Sequence, residues 1–151
     1  MAMEIAERNH DKKSLVLIGI KENGIVIAEI IAGMLQDIFP GETDLLSLAL
    51  NKKDPGEITL SREYDFNGAN VLLIDDVTNS GRTMLYALKP LLDKHPAMVQ
   101  TLVLVERTHK LFPIAMDYVG HSVATASNEN IVVKVEAGAI VGAELNDLVI
   151  G

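Results

Sequence analysis

Four apolar residues, Val71-Leu72-Leu73-Ile74, run directly into two adjacent carboxylates, Asp75 and Asp76. A loop of small polar residues follows, Val77-Thr78-Asn79-Ser80-Gly81-Arg82-Thr83, and then Met84-Leu85-Tyr86-Ala87-Leu88-Lys89 opens a helical pattern. An apolar run with no polar break reads as a strand covered on both faces, which calls for helices packed on each side of a sheet. The segment therefore predicts a strand–loop–helix unit of an α/β fold, with both acids delivered to the carboxyl end of the strand. Ligands of open parallel sheets bind at that end. A helix N-terminus with its free N–H groups and partial positive charge suits a phosphate. Together these properties point to a sugar phosphate, with acids for its hydroxyls and a loop for its phosphate.

The residue types divide that work. Asp75 and Asp76 accept hydrogen bonds at neutral pH and suit ribose hydroxyls, directly or through a metal ion held indirectly by way of those hydroxyls or water. In the candidate substrate-binding segment 77–83, Val77, Thr78, Asn79, Ser80, Gly81 and Thr83 offer backbone N–H groups and short side chains. Gly81 lets the backbone come close to a ligand. Arg82 is a cation for a phosphate or for a neighbouring acid. The plain alternative is an ordinary strand-to-helix turn with Ser80 as N-cap. The complete run, more than the acid pair alone, favours the phosphate site.

The rest of the chain supplies matching pieces. Residues 1–9 read as the end of an amphipathic helix, and residues 15–20 as a buried strand. Apolar residues at helical spacing (Val26, Ile27, Ile30, Ile31, Met34, Leu35) predict a helix over 24–38, ended by Pro40-Gly41. Further strands are predicted at 45–50, 58–61, 71–77, 101–105 and from Tyr118, one helix over 81–94, and a late hairpin from 131–135 and 140–145. Strands alternating with helices argue for a mostly parallel sheet flanked by helices, in a single domain over 1–151. Lys21, Glu22, Asn23 and Gly24 lie between the first strand and its helix, so their loop sits beside the acid pair if those two strands are neighbours. Lys21 and the loop N–H groups suit a pyrophosphate. Glu106, Arg107 and His109 follow the fourth strand at the same end of the sheet, where the competing reading is a solvated charged loop. His10, His95 and His121 have no spacing that suggests a metal.

The run 71–83 resembles the signature of the type I phosphoribosyltransferases, which bind phosphoribosyl pyrophosphate. Leu17-Ile18-Gly19-Ile20-Lys21-Glu22-Asn23-Gly24 is similar to their pyrophosphate loop. Leu104-Val105-Glu106-Arg107-Thr108-His109-Lys110, Pro113-Ile114 and Asp117-Tyr118-Val119-Gly120 resemble the later half of the pyrimidine-operon regulator/uracil phosphoribosyltransferase family. The segment Val123-Ala124-Thr125-Ala126-Ser127 is similar to the family's stretch beside the phosphate or base.

The resemblance implies a type I phosphoribosyltransferase fold and displacement of pyrophosphate from the ribose anomeric carbon by a base nitrogen. It implies Asp75, Asp76 and Arg107 as catalytic residues, His109 as a base contact, and Mg²⁺ carried by phosphoribosyl pyrophosphate. The other expected ligands are a nucleobase or nucleoside monophosphate, and the expected assembly is a homodimer. The family usually has more residues before Met1, which implies a trimmed N-terminal helix.

The chain departs from the family pattern at three places. Asn79 stands where purine-salvage members carry an aspartate, and an amide cannot act as a general base. That removes a hypoxanthine-type mechanism and leaves the uracil branch. Asn23 stands where the family commonly has an arginine, and Glu22 adds a negative charge beside it. Only Glu63 to Asn70 join Arg62 to Val71, which predicts a tight turn around Asp65-Phe66-Asn67-Gly68 in place of the family's long mobile loop. Lid closure commonly completes such sites. Two readings therefore stand: a uracil-type phosphoribosyltransferase with a reduced lid, and a nucleotide-binding regulator with weak or no turnover. A phosphate-binding module of an unrelated family has little support.

Composition narrows the partners. The chain has no cysteine, which excludes disulfides and thiolate metal sites. It shows no signal segment or membrane-length apolar run, so a soluble cytoplasmic protein is expected. A net charge of −8, with basic residues grouped only at Lys12-Lys13, Lys52-Lys53 and 107–110, speaks against RNA as a partner.

Overall fold

The structure is a computed structural model that describes residues 1–51, 53–124 and 129–147. Its central sheet is built from β1 (Ser14–Ile20), β2 (Glu42–Leu50), β3 (Ile58–Leu60), β4 (Asn70–Thr78), β5 (Met98–Arg107) and β6 (Tyr118–Val123). Their order in space is β3-β2-β1-β4-β5-β6. All neighbours run parallel except β3, which is antiparallel to β2. Among the described residues four helices accompany them: α1 (Ala2–Arg8), α2 (Asn23–Ile38), α3 (Arg82–Ala87) and α4 (Lys89–Leu92). Strands β7 (Glu129–Glu136) and β8 (Ala139–Asp147) form the expected late hairpin as a separate two-stranded sheet.

Period-2 alternation along the central strands makes two cores. Leu15 and Leu17 of β1 and Leu72 and Ile74 of β4 face α1 and α2, among Ile5, Ile27, Ile31 and Leu35. Val16 and Ile18 of β1 and Val71 and Leu73 of β4 face the opposite side, among Leu46, Phe66, Met84 and Leu91. Each residue of these runs is buried, which explains why neither strand shows an alternating pattern in its sequence.

The structure refines several expected elements. The apolar positions of α2 split into two lines, with Ile27, Ile31 and Leu35 buried and Ile30, Met34 and Ile38 exposed. The single helix expected over 81–94 is two short ones. Pro90, in the first turn of α4, has no N–H to continue the ladder, and in one continuous helix its ring would clash with a carbonyl one turn back. Strands β4 and β5 run further than expected, so Glu106 and Arg107 end a strand and do not follow one. The short connection before β4 is the predicted tight turn. The Ala69 N–H donates to the Phe66 carbonyl (2.9 Å), Asp65 accepts from the Asn67 N–H (3.0 Å), and Gly68 has φ +72°. Phe66 is 1 % exposed and anchors that turn in the core.

Candidate active site

The strand order reverses between β1 and β4: the chain moves from β1 outward to β2 and β3, then crosses back to β4 on the other side of β1. The crevice at the carboxyl ends of strands flanking such a point is the usual ligand position in open α/β sheets. Gly19 of β1 pairs with Ile74 of β4, so the loop 21–24 and the acids that follow Ile74 emerge side by side.

The alternation that builds the core also divides the acids. Asp76 continues the face of Leu72 and Ile74, toward α2, while Asp75 continues the face of Val71 and Leu73, toward α3. Two cavities correspond to this division. One, of about 520 Å³, is lined by Lys21, Glu22, Asn23, Ala49, Leu50 and Asp76. The other, of about 100 Å³, is lined by Asp75 and by residues Val77 to Met84. The expected pyrophosphate-loop residues and the expected phosphate-loop residues thus line separate cavities with the acid pair between them.

The loop 77–83 gets its shape from local contacts. Gly81 has φ +85°, a left-handed conformation that favours glycine. The Ser80 hydroxyl accepts from the Arg82 N–H (3.2 Å), and Gly81, not Ser80, occupies the N-cap of α3. The segment 110–114 grips this bend from outside. The N–H groups of Leu111 and Phe112 both donate to the Ser80 carbonyl (3.0 Å each), and a Cβ on Gly81 would lie 2.9 Å from Ile114 Cγ2. These bonds engage the Ser80 carbonyl outside the loop. The gripping role of 110–114 was not legible in the sequence, where Pro113-Ile114 stood only as part of the family resemblance.

The charged candidates are dispersed. Lys21 and Glu22 are exposed beside the larger cavity. The Arg82 guanidinium lies over the Tyr86 ring, 5.7 Å from its centroid. Arg107 is buried, at 8 % exposure, at the end of β5, and His109 is exposed in the turn beyond it. Glu106 is held by Lys110 in an ion pair, with Ser122 Oγ donating to its other oxygen at 3.4 Å. Residues Thr125 to Ser127, expected beside the phosphate or base, lie outside the described residues. Two asparagines are committed to the hairpin: Asn79 bonds to the backbone of Ile131, and Asn23 bridges Asp76 and the Val133 carbonyl. Among the described residues no group of three or more His, Cys, Asp or Glu could hold a metal ion. A pair of neighbouring carboxylates instead suits Mg²⁺ that arrives on a substrate and takes most of its ligands from phosphates and water.

Residues 1–138 match the phosphoribosyl transferase domain family. The chain belongs to the phosphoribosyltransferase family. It is 38 % identical to the bifunctional protein PyrR of Deinococcus deserti, over 98 % of this chain and 87 % of that protein. It is 39 % identical to the pyrimidine operon regulatory protein of Lactococcus lactis subsp. lactis, over 87 % of this chain and 79 % of that protein. Among solved structures, a mutant hypoxanthine phosphoribosyltransferase of Trypanosoma cruzi in complex with its product IMP superposes with a TM-score of 0.73 at 21 % identity, over 83 % of this chain and 65 % of that one. A hypoxanthine-guanine phosphoribosyltransferase of Bacillus anthracis gives 0.66 at 19 % identity, over 87 % and 78 %. These superpositions share the fold. Sequence relatedness points to the regulator branch, as residues 104–120 implied. None of the helices among the described residues is long and apolar enough to cross a membrane.

Proposed function

We propose that this phosphoribosyltransferase-family chain binds phosphoribosyl pyrophosphate with Mg²⁺, or a nucleoside monophosphate, and transfers the phosphoribosyl group to a pyrimidine base such as uracil, releasing pyrophosphate. The observation that carries this reading is the emergence of two loops side by side at the strand-order reversal, with Asp75 and Asp76 between them. In this reading the acids bind the ribose hydroxyls, residues 77–83 bind the 5′-phosphate, and Lys21 with the N–H groups of its loop binds pyrophosphate. Mg²⁺ travels with the pyrophosphate and neutralises charge as that group leaves. The chain's own contribution is positioning and fixed dipoles around an oxocarbenium-like transition state. Arg107 is assigned to the phosphate side and His109 to the base.

One observation favours the regulator reading as well. The connection before β4 is a closed turn anchored by Phe66, so that segment supplies no mobile cover over the site. Relatives named as bifunctional, or as operon regulators, are compatible with both roles. The exposed line Ile30, Met34 and Ile38 on α2 supports a homodimer. A net charge of −8 gives RNA binding little support, and a cytoplasmic location suits a chain without cysteine.

Thermal denaturation with phosphoribosyl pyrophosphate and Mg²⁺ tests the ligand assignment. At a hundredfold excess over Kd the melting temperature should rise by about 5–10 °C. Asp75→Asn with Asp76→Asn should abolish the rise, and no rise in the wild type sinks the assignment. Labelled phosphoribosyl pyrophosphate with uracil, orotate and purine bases then separates the roles, since no nucleotide product from any base leaves the regulator.

A further inference from the structure

Residues 108–117, between β5 and β6, form neither helix nor strand, yet they are tied down along their length. The Thr108 N–H donates to the Val123 carbonyl (3.1 Å), and the Asp117 N–H donates to the Thr101 carbonyl (3.0 Å). Between these ends, the N–H groups of Leu111 and Phe112 converge on the Ser80 carbonyl, and the Ile114 N–H donates to the Phe112 carbonyl (2.9 Å). The Leu111 side chain is 85 % exposed, so its backbone, and not burial, fixes it there. Lys110, one residue earlier, pairs its ammonium with the Glu106 carboxylate. The two side chains are only 16 % and 17 % exposed. Fully exposed ion pairs contribute little, whereas a shielded, charge-assisted hydrogen bond holds its partners more firmly.

This pair brackets the bend of the loop 77–83. Glu106 stands opposite Thr78 in the register of β4 and β5, at the start of the bend. Lys110 Cδ would lie 3.4 Å from a Cβ on Gly81, at its far side. One ion pair therefore joins a residue beside Thr78 to a residue beside Gly81. Gly81 holds φ +85° and has no side chain to anchor it, so its place depends on what packs against it. The cavity of this loop is lined by Asp75 and residues 77–84, and residues 106–114 stay outside that lining.

We propose that Lys110 is a positioning residue of the phosphate loop. Its stem seats Gly81, and its ammonium, held by Glu106, fixes the span from Thr78 to Gly81. The proposal rests on the assignment of residues 77–83 to the 5′-phosphate given above. A loop that binds an anion through fixed dipoles works only while those dipoles are held in place beforehand. A lysine suits the task because its stem packs along a surface while its end remains charged. Arginine keeps both properties, and alanine keeps neither. Lys110 acts on the phosphate end of the site alone, since the loop 21–24 belongs to the other cavity. The coupling is reciprocal: contacts that favour the phosphate-binding loop are themselves favoured by bound phosphate.

Phosphorus NMR titrations with ribose 5-phosphate, and separately with pyrophosphate and Mg²⁺, test this. Ribose 5-phosphate carries no base, so a disturbed His109 does not register. Lys110→Ala should weaken ribose 5-phosphate binding about five- to thirtyfold, the factor for one to two kcal/mol, and leave pyrophosphate within about twofold. Lys110→Arg should bind both as the wild type does. Undiminished ribose 5-phosphate binding by Lys110→Ala, a parallel loss of both ligands, or Lys110→Arg as weak as Lys110→Ala would overturn the proposal. Amide hydrogen exchange in the wild type needs no variant, so it stands even if Lys110→Ala does not fold. Saturating ribose 5-phosphate should slow exchange at Leu111 and Phe112, and pyrophosphate should leave it unchanged. Unchanged or faster exchange with ribose 5-phosphate bound would also overturn the proposal. If the wild type does not bind ribose 5-phosphate, the assignment of residues 77–83 fails and the role of Lys110 fails with it. Failure of the role alone shows only in the variants and in the exchange.

Discussion

Two glycines of the same helix should respond to the same substitution with opposite signs. Gly24 is the second residue of α2 and Gly33 lies in its second half. Propensity alone predicts that alanine stabilises either position, by about 0.4–1 kcal/mol, through fewer unfolded conformations and a better helix former. At Gly33 nothing lies within 4 Å of an added Cβ, so that gain should appear undiminished. At Gly24 the added Cβ would lie 2.6 Å from the Ile74 carbonyl oxygen and 3.3 Å from Asp75 Cα. Close carbon–oxygen contacts across backbones sit near 3.3–3.6 Å, so helix and strand must separate by roughly 0.7–1 Å. The obstacle is backbone, so no rotamer change relieves it. Overpacking of this kind costs about 1–3 kcal/mol, which exceeds the propensity gain. For a chain of this size, each kcal/mol moves Tm by about 2–4 °C. With a net loss of about 1–2 kcal/mol, Gly24→Ala should therefore lower Tm by about 2–8 °C, and Gly33→Ala should raise it by about 1–4 °C, in calorimetric or far-UV melts. The retreat of α2 from β4 also moves the loop 21–24 away from the acids, so Gly24→Ala should weaken ligand binding while Gly33→Ala leaves it unchanged. A Gly24→Ala protein as stable as the wild type, or a shift of the same sign in both variants, would refute the claim that α2 is pressed against β4 beside the acids.

Phe66→Ala should cost about 3–5 kcal/mol, because the side chain is 1 % exposed and closes the core beneath the turn before β4. It should lower the urea midpoint without changing the slope. Tyr118→Phe should change the alkaline limb of stability. The buried Tyr118 hydroxyl accepts from Asn9 Nδ2 (3.1 Å) and donates to Gln100 Oε1 (3.0 Å), and burial raises its pKa above the ordinary 10.0. A raised folded pKa gives stability that is complete below the unfolded value and is lost as pH rises through the folded one. Stability of the wild type should thus fall above about pH 10, and Tyr118→Phe should flatten that fall while losing about 1 kcal/mol at neutral pH. Tyr64, raised by burial and by Asp44, contributes to the same limb, so part of the fall should persist. An unchanged alkaline limb in Tyr118→Phe would contradict the assignment.

Much of the fold was legible because its signals are local. Apolar runs at 15–20 and 71–74 mark strands with helices on both faces, and both are buried throughout. The turn before β4 followed from Asp65, Asn67 and Gly68, which act within a few residues. Signals that depend on which partner is present were weaker. Six apolar positions of α2 announced a helix but not which line would be covered, since Ile27 and Ile30 differ only in what stands opposite. The break at Pro90 was visible in the sequence. The periodic pattern over 81–94 obscured it because Leu85, Leu88 and Leu91 keep their spacing across the joint.

For the site, the acids and the two loops stood out in the sequence as candidates, and the division between the acids follows from counting. Adjacent residues on a strand point to opposite faces. Asp75 and Asp76 must therefore serve opposite sides of the sheet wherever that strand ends. A ligand that used both would sit astride the strand end, between the loops 21–24 and 77–83. What no local pattern announces is the seating of β7. Asn79 and Ile131 are 52 residues apart, and Asn23 and Val133 are 110 apart. Each contact joins a side chain to a backbone atom, so the residue identity at 131 or 133 carries almost no trace of it. The visible sign was negative: an amide, Asn23, stands where the family commonly has an arginine, and another, Asn79, where purine-salvage members have an aspartate. A site that only lost function would tolerate many side chains at those positions. Two amides bonded to one strand instead share one structural role, the seating of β7.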